Sequence, residues 1–195
     1  MKSRLHLIPV PLGGDDPQEV LPVPIFEVIG SLKLFFVEEL RTARRFLSKA
    51  GLKGEIDNLT LYELNEHTTR EQIEGYLKFL EQQEAGLLSE AGLPAVADPG
   101  ALLIKLAHQN EIEVVPYVGP SSLMMALMSS GMNGQCFAFV GYLPVKSKER
   151  KAMIEQIEKI SRQMQQTQIV IETPYRNDAL MEDLLACCKD STTIC

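Results

Sequence analysis

The segment Ser89-Glu90-Ala91-Gly92-Leu93-Pro94-Ala95-Val96-Ala97-Asp98-Pro99-Gly100 follows an apolar run at Leu87-Leu88 and leads into a helical pattern holding Leu102, Leu103 and Leu106. Its side chains are mostly small, and at a glycine a ligand meets the main chain with no Cβ in the way. Backbone amides and carbonyls can then do the recognising, so the chemistry on offer is the grip of a small molecule. A loop that leaves the carboxyl end of a strand and opens a helix is also where open α/β sheets bind their ligands. Asp98-Pro99 reads as a helix start, with the carboxylate as N-cap and the proline at the first helical position, where its missing N–H costs nothing. Asp98 therefore has two readings, cap or ligand contact, and the whole segment also reads as an ordinary strand-to-helix connection. Three further groups carry titratable side chains suited to moving a proton or pairing with charge: Glu38-Glu39 ahead of Arg41, Glu66-His67, and Glu172 four residues before Arg176. Each has a plain alternative: a helix-capping carboxylate, a loop histidine and a local ion pair.

The elements that must hold these residues alternate. Leu5 to Pro9 reads as a strand, and Asp16-Pro17 as a cap and first helical residue. A helix starts near Pro24, Leu34 to Val37 is a buried strand, and a helix from Glu39 to Lys49 stops at Gly51. Thr60 to Leu64 reads as a third strand. Thr69 and Gln72 form a capping box for a helix that places Ile73, Tyr76, Leu77 and Leu80 on one face. After the Gly/Pro loop, Ile112 to Val115 is a strand, and Ser121 opens a helix ending near Gly131. Cys136 to Tyr142 follows as a strand, then a helix from Glu149 to Gln165 with Ile154, Ile157 and Met164 inward. A strand at Gln168 to Ile171, a helix at Asn177 to Cys188 and the start of a strand at Thr192 to Cys195 complete the pattern. Met124, Met125, Met128 and Met132 read as core filler. Such alternation predicts two α/β domains, 1–116 and 117–195, joined near Pro116 to Pro120, the first with a largely parallel sheet.

Composition narrows the class. At 45% hydrophobic and 23% charged over 195 residues, the chain has a globular profile. No apolar run nears membrane-spanning length, and MKSRLHLIPVP lacks a signal peptide's apolar core, so the expected setting is the cytoplasm, with no membrane. Cys136, Cys187, Cys188 and Cys195 have no metal-ligand spacing, so no metal is expected. A net charge of −7 gives no global basic footprint for nucleic acid. Two local basic clusters, Arg41/Arg44/Arg45 and Lys146/Lys148/Arg150/Lys151, read either as solvated helix faces or as RNA-contacting patches.

Four ordered blocks, SEAGLPAVADPG, VVPYVGPSSLMMALMSSGM, FAFVGYLPVKSKER and IVIETPYRN, resemble the tetrapyrrole methylase superfamily. Within it they are most similar to the branch of the ribosomal small-subunit RNA 2′-O-ribose methyltransferase I. The likeness runs from Leu5 to Arg176, and the chain departs from the family pattern at Glu90, Leu93, Tyr117-Val118, Tyr142, Thr173 and Tyr175. The resemblance implies two α/β domains with S-adenosyl-L-methionine in the cleft between them, the second here either incomplete at its C-terminus or unusually small. That arrangement is not Rossmann-type, and Pro9-Val10-Pro11-Leu12-Gly13-Gly14 indeed stands where a Gly-x-Gly loop would follow a first strand. It also implies a homodimer and cofactor contacts at Pro11, Ala91, Gly92, Leu93, Val96, Ser121, Ser122 and Glu172, with Ser89 and Asp98 adjacent. EELRTARRFL and LNEHTT resemble the RNA branch. They make Glu39 and His67 the candidate bases for a ribose hydroxyl, beside Glu38 and Glu66, and Arg41 and Arg176 the candidate substrate contacts.

Methyl transfer from a sulfonium is an in-line displacement, for which alignment in a dry cleft supplies most of the acceleration. Three readings follow: a methyltransferase acting on ribosomal RNA, a methylase of a small molecule such as a tetrapyrrole precursor, and a non-catalytic relic of the fold. The RNA reading rests on the two blocks just quoted.

Overall fold

The computed structural model describes residues 3–14 and 16–195, so Asp15 of the PLGGDDP turn lies outside them, as do the first two residues of the N-terminus read for a signal. The chain divides into two compact units, Met1–Ser122 and Leu123–Cys195, later than the 116/117 boundary.

In the first unit five strands, β1 (Arg4–Leu7), β2 (Leu34–Val37), β3 (Thr60–Glu63), β4 (Ala85–Leu88) and β5 (Glu113–Pro116), form one sheet in the order β3-β2-β4-β1-β5. Every pairing is parallel. Position in the sheet explains the sequence of each strand. LFFV of β2 and AGLL of β4 are buried at every residue because helices cover both faces, whereas the edge strands β3 and β5 are half-buried. One face packs under α1 (Val23–Ser31) and α2 (Leu40–Leu47) through Ile25, Ile29, Phe46 and Leu47, with Ile8 and Phe35 below them. The other packs under α3 (Arg70–Leu80) and α4 (Ala101–Gln109) through Ile73, Leu80, Leu103 and Leu106 on Leu5, Phe36 and Leu87. Gly86, in the middle strand, is required by packing: a Cβ there would lie 2.5 Å from Phe35 Cδ1 and 2.9 Å from Ile8 Cδ1.

The topology has one switch point. The chain leaves β1 along the α1 face toward β2, and leaves β4 along the opposite, α4 face toward β5. Since β1 and β4 are neighbours whose following helices cover opposite faces, their carboxyl ends mark the place where such sheets bind ligands.

Local signals account for most boundaries. Asp16 accepts from the Gln18 N–H and Pro17 opens a 3-10 turn. The Thr69/Gln72 capping box forms in both directions. The helical path after α2 ends in a π turn at Ser48–Leu52, where Gly51 takes φ 111°.

The second unit is built from α5 (Ser122–Ser130), β6 (Phe137–Tyr142), α6 (Ser147–Met164), β7 (Thr167–Ile171) and α7 (Asn177–Cys187), with β6 and β7 parallel. Its core is Leu143, Ile154 and Leu180. Arg150 does not lie on a solvated face with its neighbours: it is buried, 2.6 Å from Asp183, and also donates to the Val145 and Ala179 carbonyls. Burial pushes the Asp183 carboxyl up, but Arg150, Ser147 and Lys151 outweigh it and hold the group below its usual range.

Four expectations are corrected. Thr192 to Cys195 forms no strand; Thr192 instead turns back on Lys189 and bonds Glu158. Met124, Met125 and Met128 on α5 are exposed rather than core filler, since among the described residues no element of the second unit's core packs over them. Met164, at the last turn of α6, is exposed as well. Asp98 is not a helix cap: α4 begins at Ala101 with Gly100 at its N-cap and no side-chain cap bond.

Candidate functional site

Five loops leave the carboxyl edge of the first sheet, and each is tied to its neighbour in the order of the strands. After β3, Asn65 Nδ2 donates to the Glu38 carbonyl at 3.5 Å. Glu38, just past β2, accepts the Glu90 N–H at 3.1 Å on its side chain. Past β4, Gly92 and Val10 form an antiparallel bridge, with Val10 N–H donating to Gly92 O at 2.9 Å and Gly92 N–H to Val10 O at 2.8 Å. The loop after β5 closes the row. A Cβ on Gly119 would stand 2.1 Å from Pro9 Cβ, and one on Gly92 would stand 3.2 Å from Leu12 Cδ2 and 3.5 Å from the Pro120 carbonyl.

Thus Pro9–Leu12, Ser89–Leu93 and Gly119–Pro120 converge at the switch point, and glycine is what lets them touch. Gly92 is demanded twice, by contact and by its φ of 77°. Ala95 and Ala97 take φ 63° without being glycine, which costs about 1–2 kcal/mol each, and strain of this kind gathers at ligand clamps.

Two shallow hollows open beside this edge and share Leu88 and Ser89 as a wall. One is lined by Glu38, Ser89 and Asp98, the other by Val10, Thr42, Phe46 and Glu90. Thr42 donates its hydroxyl to the Glu90 carboxylate, which joins α2 to the β4 loop. Burial raises the Asp98 carboxyl to about 6, the Glu38 and Glu90 charges push the same way, and the Ser89 hydroxyl beside it opposes them. A carboxyl poised there exchanges protons near neutrality.

The other sequence candidates fall as follows. Glu39 caps α2: its carboxylate accepts from Arg41 N–H at 2.9 Å and Thr42 N–H at 2.7 Å, and these two bonds hold it below the usual range. Such a carboxylate is a poor proton acceptor. His67 is exposed after β3, 3.6 Å from Glu66. Arg41 projects from the first turn of α2, exposed like Arg44 and Arg45. Ser121 and Ser122 follow the Gly119 turn directly. In the second unit Glu172, just past β7, is buried and lies 2.7 Å from Arg176, whose guanidinium also donates to the Leu143 carbonyl. Pro11, Ala91, Leu93 and Val96 sit on the converging loops, Val96 with its side chain partly exposed. Sequence reasoning did not find the Glu90–Glu38 tie or the carboxylate neighbours of Asp98, because residues 38, 90 and 98 meet only once β2 and β4 pair.

No family model matches the chain. It is 32% identical over 93% of its length to the ribosomal RNA small subunit methyltransferase I of Vibrio cholerae, covering 59% of that protein. It is 31% identical over 97% of its length to the protein of the same name from Escherichia coli O157:H7, covering 63%. The chain therefore spans about three fifths of the length of these curated relatives. The native crystal structure of uroporphyrin III C-methyl transferase from Thermus thermophilus superposes with a TM-score of 0.59 at 16% identity, over 96% of this chain and 78% of that one. The α/β fold is thus shared with a tetrapyrrole methylase, and along nearly all its own length the chain is similar to the ribosomal RNA small subunit methyltransferases I.

Proposed function

We propose that this chain is an S-adenosyl-L-methionine-dependent methyltransferase whose acceptor is a ribose 2′-hydroxyl of ribosomal RNA. The carrying observation is the convergence of the β1, β4 and β5 loops at the switch point, in a chain whose curated relatives are named small-subunit rRNA methyltransferases. The residues fit the group: glycine-opened main chain suits its adenosine and amino-acid parts, and the carboxylates of Glu38, Glu90 and Asp98 complement a cationic sulfonium. Each hollow is open to solvent and far too small on its own to enclose a ligand of this size. The family resemblance supports Ser121, Ser122 and Glu172 as further contacts of the cofactor.

When bound, the group supplies a methyl carried on a sulfonium. Pro11, Ala91, Gly92, Leu93 and Val96 hold it by main chain and apolar cover, and Ser89 stands beside them. Asp98, with its proton affinity near neutral, takes the acceptor hydroxyl's proton in preference to Glu39, whose lone pairs are engaged by its own helix. Exposed His67 stands as the second acceptor. Arg41, with Arg44 and Arg45 exposed on the same helix, meets RNA phosphates, which localises positive charge on a protein whose net charge is −7. Arg176, paired with Glu172 at 2.7 Å, is a further candidate contact for the acceptor. A cytoplasmic homodimer belongs to the same reading and is supported by the family resemblance. No helix among the described residues is long and apolar enough to cross a membrane.

The test is transfer of labelled methyl from the donor to naked ribosomal RNA, to assembled small subunits and to a porphyrinogen. Label in RNA, at a 2′-O-methyl nucleoside after digestion, is the expected result. Label in no RNA fraction overturns the substrate assignment, and absence of heat on titration with millimolar donor overturns the enzyme assignment.

A further inference from the structure

One buried polar row in the first unit is used by nothing above. His6, in β1 and only 5% exposed, has Nδ1 2.9 Å from Tyr117 Oη and Nε2 3.2 Å from Glu84 Oε2. Its ring stacks on that of Tyr117 with centroids 5.9 Å apart. Glu84 precedes β4, His6 faces Gly86 across the β1–β4 pairing, and Tyr117 follows β5, so the row runs along one sheet face toward the carboxyl edge. Gly86 carries no side chain to block that face.

The chemistry of the partners fixes the direction of the bonds. A carboxylate only accepts, so His6 Nε2–H donates to Glu84, and in the neutral ring that tautomer leaves Nδ1 to accept from the Tyr117 hydroxyl. Burial raises the Tyr117 phenol, with the charges of Glu84 and Glu113 adding to it and that of Arg4 opposing, so the group stays a donor at neutral pH. Arg4 is occupied by Glu113 at 2.8 Å. The Tyr117 N–H also donates to the Leu7 carbonyl at 3.3 Å, and two residues on, Gly119 presses against Pro9. Tyr117 is thereby anchored to β1 by both its backbone and its side chain, immediately before the turn that enters the candidate site.

We propose that His6, backed by Glu84, is a positioning residue: by holding the Tyr117 hydroxyl it sets the Val118–Pro120 turn against the β1 loop in the geometry that methyl-donor binding requires. This rests on the donor reading above. A bond of this kind carries a net worth that corresponds to roughly a three- to tenfold change in affinity.

The test uses the full chain labelled with ¹⁵N-histidine, whose only imidazoles are His6, His67 and His108, and S-adenosylhomocysteine as the probe. Wild type is expected to show the Nε2–H tautomer at His6 and a shift of its nitrogen resonances on saturation, while those of His108, on α4, stay fixed. Tyr117→Phe should bind about three- to tenfold more weakly. Glu84→Gln, which keeps an acceptor for Nε2–H, should lose less. A Tyr117→Phe protein that binds within twofold of wild type, with a His6 signal indifferent to the ligand, makes the row a packing device and overturns the positioning role alone. Failure of the wild type itself to bind overturns the donor reading and the role with it.

Discussion

Substituting Gly119 by alanine tests the convergence of loops most directly. The added methyl would fall 2.1 Å from Cβ and 2.5 Å from Cγ of Pro9, and 3.4 Å from Leu93 Cδ2, whereas ordinary contact begins at 3.4 Å. Pro9 is a ring fused to its own backbone and cannot swing aside as a flexible side chain would, so the β1 and β5 loops must part by roughly 1 Å. Overpacking of this kind costs about 1–3 kcal/mol. For a chain of this size that lowers the melting temperature by roughly 2–4 °C per kcal/mol. A 1 Å misplacement of a binding element can also cost about 100-fold in rate, so methyl transfer should fall far more than stability does. Thermal melting, calorimetric titration with S-adenosylhomocysteine and labelled-methyl transfer measure the three effects on one preparation. Gly75→Ala, on α3 with nothing within 4 Å of the new methyl, is the matched control and should gain about 0.5–1 kcal/mol from helix preference alone. If Gly119→Ala melts, binds and turns over like wild type, the loops do not meet as described and the reasoning fails.

Gly86→Ala places a methyl against Phe35 and Ile8 inside the sheet, so chemical denaturation should show a loss of about 1–3 kcal/mol, with donor affinity per folded molecule unchanged. Asp98 binds its proton more tightly folded, at about 6, than unfolded, so its contribution to stability is greatest at low pH and is lost as pH rises through about 6. Asp98→Asn should therefore melt above wild type at pH 7.5, with the gap closing by pH 4; parallel melting curves across that range would contradict the burial of the group. Glu39→Ser supplies another capping oxygen to α2 and should keep both melting temperature and methyl transfer close to wild type, whereas a loss of turnover beyond tenfold at unchanged melting temperature would restore Glu39 as a base.

Much of the scaffold was legible because it is written in short-range chemistry. The LFFV run of β2, the Thr69/Gln72 box, the Asp16-Pro17 turn and the glycine stop at residue 51 each depend on neighbours a few residues away. The Gly/Pro segment after β4 was likewise marked by its own composition. What failed lay where a side chain chose a distant partner over a local one. Asp98 had a cap waiting at Pro99 and instead sits by Ser89 under the charge of Glu38. Arg150 looked like one of four surface cations until Asp183, 33 residues on, drew it inside. Residue types and their spacing determined most of the strands and helix starts and the glycine-opened main chain of the candidate site. Only the strand order β3-β2-β4-β1-β5 decided which loops became neighbours, because it is the pairing of β1 with β4 that brings Val10 and Gly92 close enough to bridge, and no local pattern encodes that pairing.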